Sequence, residues 1–105
     1  MSIAADDFAL VISRETHGVV AHVHGEVDLC TATRFRDALL LLLETGEKTV
    51  QVDLAGMAFI DSTGLRALVE VDQRLRAAGG RLTVVNPTPA TCKVLEITGL
   101  DRLVG

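Results

Sequence analysis

Apolar and polar residues alternate with a period of two in two early runs. In residues 8–13, Phe8, Leu10 and Ile12 fall on one side and Ala9, Val11 and Ser13 on the other. In residues 19–24, Val19, Ala21 and Val23 oppose Val20, His22 and His24. Period two marks a half-buried strand, and the polar stretch 14–18, ending in Gly18, joins the two runs as an antiparallel hairpin. Residues 25–30 read as a loop carrying Glu26 and Asp28. The period then changes: Phe35, Ala38, Leu39, Leu42 and Leu43 share one helical face, with Thr31 or Thr33 as candidate cap and Thr45-Gly46 as the stop. Leu40 and Leu41 widen that face, and sheet cover is their expected role.

Val50, Val52 and Leu54 alternate with Gln51 and Asp53, a strand with one wet face. Residues 55–60 read as a loop containing Gly56 and leading to Asp61-Ser62-Thr63-Gly64. A helix follows with Leu65, Leu68, Val69, Val71, Leu75 and Ala78 on one side, and Gly79-Gly80 stops it. Asp72 falls within that apolar side, and no local pattern accounts for it. Residues 82–85 form a short strand. Thr88 is the expected cap and Pro89 the first residue of a last helix carrying Val94, Leu95 and Ile97, stopped by Gly99 and followed by a closing segment, 100–104. The order β-β-α-β-α-β-α predicts an α/β fold: a small mixed β-sheet, an opening antiparallel hairpin followed by parallel βαβ pairings. A sheet covered on both faces would show continuous apolar strands. These strands alternate, so the helices are expected mostly on one face.

At 105 residues the chain is read as a single domain spanning 1–105. Hydrophobic residues make up 49% and charged residues 23%, which excludes a disordered chain. The net charge of −4 and the absence of Trp and Tyr argue against direct nucleic-acid binding. The longest apolar run, 38–43, falls far short of the roughly 20 residues that cross a bilayer, so no membrane insertion is expected. Residues 1–8 carry Asp6 and Asp7 and no basic leader, consistent with a cytoplasmic location. Cys30 and Cys92 lack C-x-x-C spacing and read as thiols in a reducing compartment.

Ser62 stands where a loop becomes a helix. Its hydroxyl could cap the free N–H groups there, and the same place tolerates an anion, so a phosphate of roughly −1.5 to −2 charge could sit on Ser62 without conflict with the fold. Gly64 lets another part of the backbone approach. A hydrolase would need a base beside Ser62, but the histidines, His17, His22 and His24, give no sign of reaching it, and no G-x-S-x-G elbow is present. His22-x-His24 suits two metal ligands on one strand face, but no third ligand is evident. No metal, cofactor or catalytic residue is therefore expected. Gly25-Glu26-Val27-Asp28 reads either as an acidic turn, with Asp28 helping to cap the next helix, or as a contact surface for a partner's basic residues.

Together, Gly25-Glu26-Val27-Asp28, Val50-Gln51-Val52-Asp53-Leu54, Phe59-Ile60-Asp61-Ser62-Thr63-Gly64-Leu65 and Ile97-Thr98-Gly99-Leu100 resemble the STAS domain of bacterial anti-sigma factor antagonists. The resemblance runs from residue 8 to residue 104. It implies a STAS-like fold and a partner switch rather than an enzyme. The unphosphorylated chain would bind an anti-sigma factor that is also a serine kinase of the histidine-kinase-like ATPase fold, freeing a sigma factor. Phosphorylation of Ser62, with Thr63 a minor alternative, would end that binding, and a PP2C-type phosphatase would restore it. Glu26, Asp28, Asp61, Ser62, Thr63, Gly64 and Leu65 would form the partner-binding surface. Stand-alone STAS domains also serve as accessory subunits of ABC-type lipid transport systems, binding the ATPase, and that is the alternative within the same fold. A sensor of a small ligand bound beside the Ser62 helix end is a third reading.

Overall fold

The computed structural model describes residues 2–5 as backbone and residues 8–105 in full. Met1, Asp6 and Asp7, on which part of the reading of the chain start rests, lie outside the described residues. Strands β1 (Ser2–Ala5), β2 (Phe8–Glu15), β3 (Gly18–Val27), β4 (Thr49–Ile60) and β5 (Arg81–Val85) form one sheet in that order. Helix α1 (Ala32–Glu44) follows β3, α2 (Ser62–Ala77) follows β4, and α3 (Pro89–Ile97) follows β5, with a 3₁₀ turn at Asp101–Leu103. β1–β2 and β2–β3 pair antiparallel, while β3–β4 and β4–β5 pair parallel. The expected mixed sheet is therefore present, enlarged by β1, which the sequence reading did not contain.

One face of the sheet is apolar and covered. Val19, Ala21, Val23, Val50, Val52, Leu54, Leu82 and Val84 meet Phe35, Leu39 and Leu42 of α1 and Leu68, Val71 and Leu75 of α2 in one buried cluster. Leu95 of α3 joins the same cluster. Phe8 and Phe35 pack edge to face, their ring centres 6.4 Å apart. Thr88 caps α3 by accepting from the Thr91 N–H at 3.2 Å, with Pro89 first in the helix, as expected. Leu40 is partly buried against the core, whereas Leu41 is exposed.

Two segments read as loops are strand. β3 continues through Gly25, Glu26 and Val27, and β4 runs unbroken to Ile60. The register explains why the pattern hid this. His22 and His24 oppose Asp53 and Gly56, and Gly25 and Glu26 oppose Met57 and Phe59, so β4 carries extra residues at two bulges. Leu54, Met57 and Ile60 are its inward residues, a spacing of three that a search for period two passes over. Further on, Ala78 is exposed at the end of α2, where Gly79 takes a left-handed φ of 82°. Ile97, expected on the apolar side of α3, is exposed.

Candidate functional site

The parallel strands β3 and β4 end side by side, with Glu26 opposite Phe59 and Val27 opposite Ile60. Their two following turns therefore share one edge of the sheet, the carboxyl end where α/β folds place their sites. The Asp61 N–H donates to the Val27 carbonyl at 3.1 Å, fastening one turn to the other. Of the residues singled out in the sequence, Glu26, Asp28, Asp61, Ser62, Thr63 and Gly64 all come to this edge, as does Leu65 behind it.

Each has a distinct local role. Asp28 organises the turn before α1, which has no side-chain cap: its Oδ1 accepts from the N–H groups of Cys30 at 2.9 Å and Thr31 at 3.2 Å, and its carbonyl accepts from the Ala32 N–H at 2.8 Å. The Thr31 hydroxyl donates to the Glu26 carbonyl at 2.7 Å, closing the turn. Asp61, not Ser62, caps α2. Its Oδ1 accepts from the Thr63 N–H at 2.9 Å, the Gly64 N–H at 3.1 Å and the Thr63 hydroxyl. The Thr63 hydroxyl above all holds the Asp61 carboxyl below the usual carboxylate range; desolvation opposes this, and the N–H groups of Gly64, Thr63 and Leu29 add to it.

Because a carboxylate occupies the cap position, Ser62 is the first residue of the helix. Its side chain is exposed, and the hydroxyl forms no hydrogen bond with any described residue. Gly64 lies against the turn: a Cβ there would stand 2.6 Å from Ile60 Cγ1, 2.8 Å from Val27 Cγ1 and 3.0 Å from the Val27 carbonyl oxygen. Leu65 is buried in the core and so supports the helix from inside rather than lining the surface.

The sequence reading missed Leu29, which is 76% exposed on the turn beside Asp61. An apolar residue in an otherwise polar loop was the available signal. Leu29, Thr33, Arg36, Thr63, Arg66 and Glu70 line a shallow cavity of about 150 Å³ between α1 and α2. Phe59, 49% exposed, stands on the last turn of β4 before Asp61.

A second polar constellation lies on the open face of the sheet. Ser13 Oγ is 3.0 Å from His22 Nε2, and His22 Nδ1 is 2.9 Å from Asp53 Oδ2. Asn86, at φ 53°, donates from Nδ2 to Asp53 Oδ1 at 3.3 Å. Partial burial pushes the Asp53 carboxyl up, but the Ala55 N–H, the side chains of His22 and Asn86 and the charge of His22 outweigh it and leave the group below its usual range. The atom order is that of a Ser-His-Asp relay. Backbone N–H groups in a sheet point along its plane into the ladders, so the strands around Ser13 do not themselves aim oxyanion donors over it. The constellation is a polar ladder tying β2 to the end of β5. It also engages His22 away from His24, and no group of three metal-ligating side chains forms among the described residues. Cys30 and Cys92 are both free. No described helix is long and apolar enough to cross a membrane.

The chain is similar to the anti-sigma F factor antagonist of Lysinibacillus sphaericus, with 31% identity over 91 residues covering 86% of this chain and 76% of that protein. Among solved structures it resembles an anti-sigma factor antagonist from Mycobacterium paratuberculosis, with a TM-score of 0.83 and 28% identity over 96% of this chain and 86% of that one. The anti-sigma factor antagonist SpoIIAA in its unphosphorylated form shares the fold, with a TM-score of 0.80 at 24% identity over 91% of this chain and 85% of that one. Residues 10–105 match the family described as "Mlab, STAS domain", and the chain belongs to that family of STAS domains.

Proposed function

We propose that this chain is an anti-sigma factor antagonist working as a partner switch controlled at Ser62. The observation that carries the reading is the division of labour at the start of α2: Asp61 caps the helix, which leaves the Ser62 hydroxyl exposed and without a hydrogen-bond partner among the described residues. A serine needed as a cap could not be modified without disturbing the helix; this one is free for a kinase. Leu29, on the turn before α1, and Phe59, near the end of β4, are exposed and supply apolar area for a docked protein. The names of the relatives support the same reading.

In this account the unphosphorylated chain binds an anti-sigma factor that is also a serine kinase of the histidine-kinase-like ATPase fold, and a sigma factor is released. The kinase transfers phosphate to the Ser62 hydroxyl. A dianion then stands next to the Asp61 carboxylate, on a surface matched to the neutral form. A loss of about 3 kcal/mol, ordinary for a like-charge mismatch at an interface, weakens binding about 150-fold. A PP2C-type phosphatase removes the phosphate and resets the switch. The chain acts in the cytoplasm as substrate and regulator and catalyses nothing itself.

The test is capture of partners from the native host by the wild-type chain and by Ser62→Asp, identified by mass spectrometry. The expected result is an anti-sigma factor kinase on the wild type and its loss from the variant. Capture of the same transporter ATPase by both would instead assign the chain the accessory role in lipid transport.

A further inference from the structure

Helix α2 carries a cation within reach of Ser62. Arg66 stands four positions on, one turn along the same face, because Ser62 is already the first residue of the helix. Side chains on a helix lean toward its amino end, so the long arm of Arg66 extends in the direction of Ser62. Arg66 is exposed and forms no ion pair with a described residue. Its nearest acid along the helix is Glu70, again four positions on, in the less favourable order for a helix pair. That carboxylate is already divided: Oε1 lies 3.8 Å from Arg36 Nη1 and Oε2 lies 3.4 Å from Arg74 Nη2. Asp61 is engaged by the N–H groups of Thr63 and Gly64 and by the Thr63 hydroxyl. A guanidinium with five N–H donors therefore stands one turn from the Ser62 hydroxyl with no carboxylate of its own.

We propose that Arg66 receives the phosphate when Ser62 is modified, in an ion pair along the helix that forms only in the phosphorylated chain. The proposal rests on the reading of Ser62 as the control point of the switch, and it names what in this chain holds the phosphate. A phosphoserine has a second pKa of about 6. The Asp61 carboxylate beside it favours the monoanion and pushes that value up toward neutrality, where part of the population would carry one charge instead of two. The switch depends on both charges. The Arg66 guanidinium acts in the opposite sense and keeps the phosphate a dianion at neutral pH, with the positive end of the α2 dipole in support. Its planar fork presents two parallel N–H donors to two phosphate oxygens. An exposed pair of this kind contributes little to folding, in keeping with a modification that acts on binding.

The full chain is prepared with phosphoserine placed at position 62 during translation, so that no kinase is needed. Its phosphorus resonance is then titrated with pH at low ionic strength. Arg66→Gln is expected to raise the second pKa of the phosphate by about 0.3 or more, and Arg66→Lys to recover part of the rise. The difference between wild type and Arg66→Gln should disappear in about 1 M salt. Arg81→Gln is the control. Arg81 is exposed and pairs with Thr49 at the start of β4, the opposite end of the sheet from Ser62, so this variant removes the same charge at a distance and should leave the value unchanged. An equal pKa in wild type and Arg66→Gln would overturn the proposal, as would an equal rise in Arg81→Gln. Failure of the switch reading would look different: an anti-sigma factor bound equally by the modified and unmodified chains, with the phosphate pKa still set by Arg66.

Discussion

The two ends of α2 are built from the same ingredients to opposite purposes. Toward its carboxyl end the helix's own charged side chains, Glu70, Asp72, Arg74 and Arg76, are all in ion pairs. Gly79 and Gly80 close the helix by donating to the carbonyls of Arg76 and Leu75, and Asp72 is clamped between Arg76 and Arg102, which anchors the final 3₁₀ turn. At the amino end a single carboxylate, Asp61, accepts from the N–H groups of Thr63 and Gly64, and the next residue presents a hydroxyl that bonds to none of the described residues. One end is a structural closure and the other a capped helix with a free functional group. A residue can change its charge without unfolding the protein only where it contributes nothing to folding, and Ser62 meets that condition because Asp61 does not.

The contrast can be sharpened or broken by substitution. Gly64→Val forces a side chain into Val27 and Ile60 and is expected to destabilise the chain by about 3 kcal/mol, read from the urea midpoint. A neutral result would mean that the amino end is not packed as described. Asp72→Ala is expected to cost about 1–2 kcal/mol, a modest value because both arginines reach water. It should also speed amide exchange in residues 101–103 before it affects α1.

Asp61→Ala is expected to lower the melting temperature by removing the cap, with a pH dependence of defined sign. The folded carboxyl is held below its unfolded value, so its contribution is complete above the ordinary carboxylate pKa of about 4 and is lost as pH falls through the folded pKa. Wild type and variant should therefore differ at neutral pH and converge in acid; a constant difference would contradict the assignment of the cap. The smallest effect belongs to Ser62→Ala, whose unfolding free energy should stay within about 0.5 kcal/mol of wild type.

Much of this was legible from residues alone, for reasons that particular elements make plain. The hairpin of β2 and β3 alternates cleanly because one face is buried and the other wet, and the Thr88-Pro89 start of α3 follows from cap chemistry. The Asp-Ser-Thr-Gly turn stood out as a helix start. Its cap was misassigned to Ser62 because serine and aspartate are equally good caps, and only the backbone decides which of two neighbours occupies the position. The end of β4 was hidden by its bulges, which replace a period of two with Leu54, Met57 and Ile60. Asp72 had no account because its second partner, Arg102, lies 30 residues away. The Ser13–His22–Asp53 ladder was invisible for the same reason: it spans three strands and depends on register.

The central claim is that phosphate at Ser62 governs binding and leaves folding alone. It is tested most directly on a single preparation of the chain carrying phosphoserine at position 62, with unfolding free energy and affinity for the captured anti-sigma factor both measured. The account predicts stability within about 0.5 kcal/mol of the unmodified chain and affinity reduced about 150-fold. Unchanged affinity, or a loss of affinity that tracks an equal loss of stability, would contradict it.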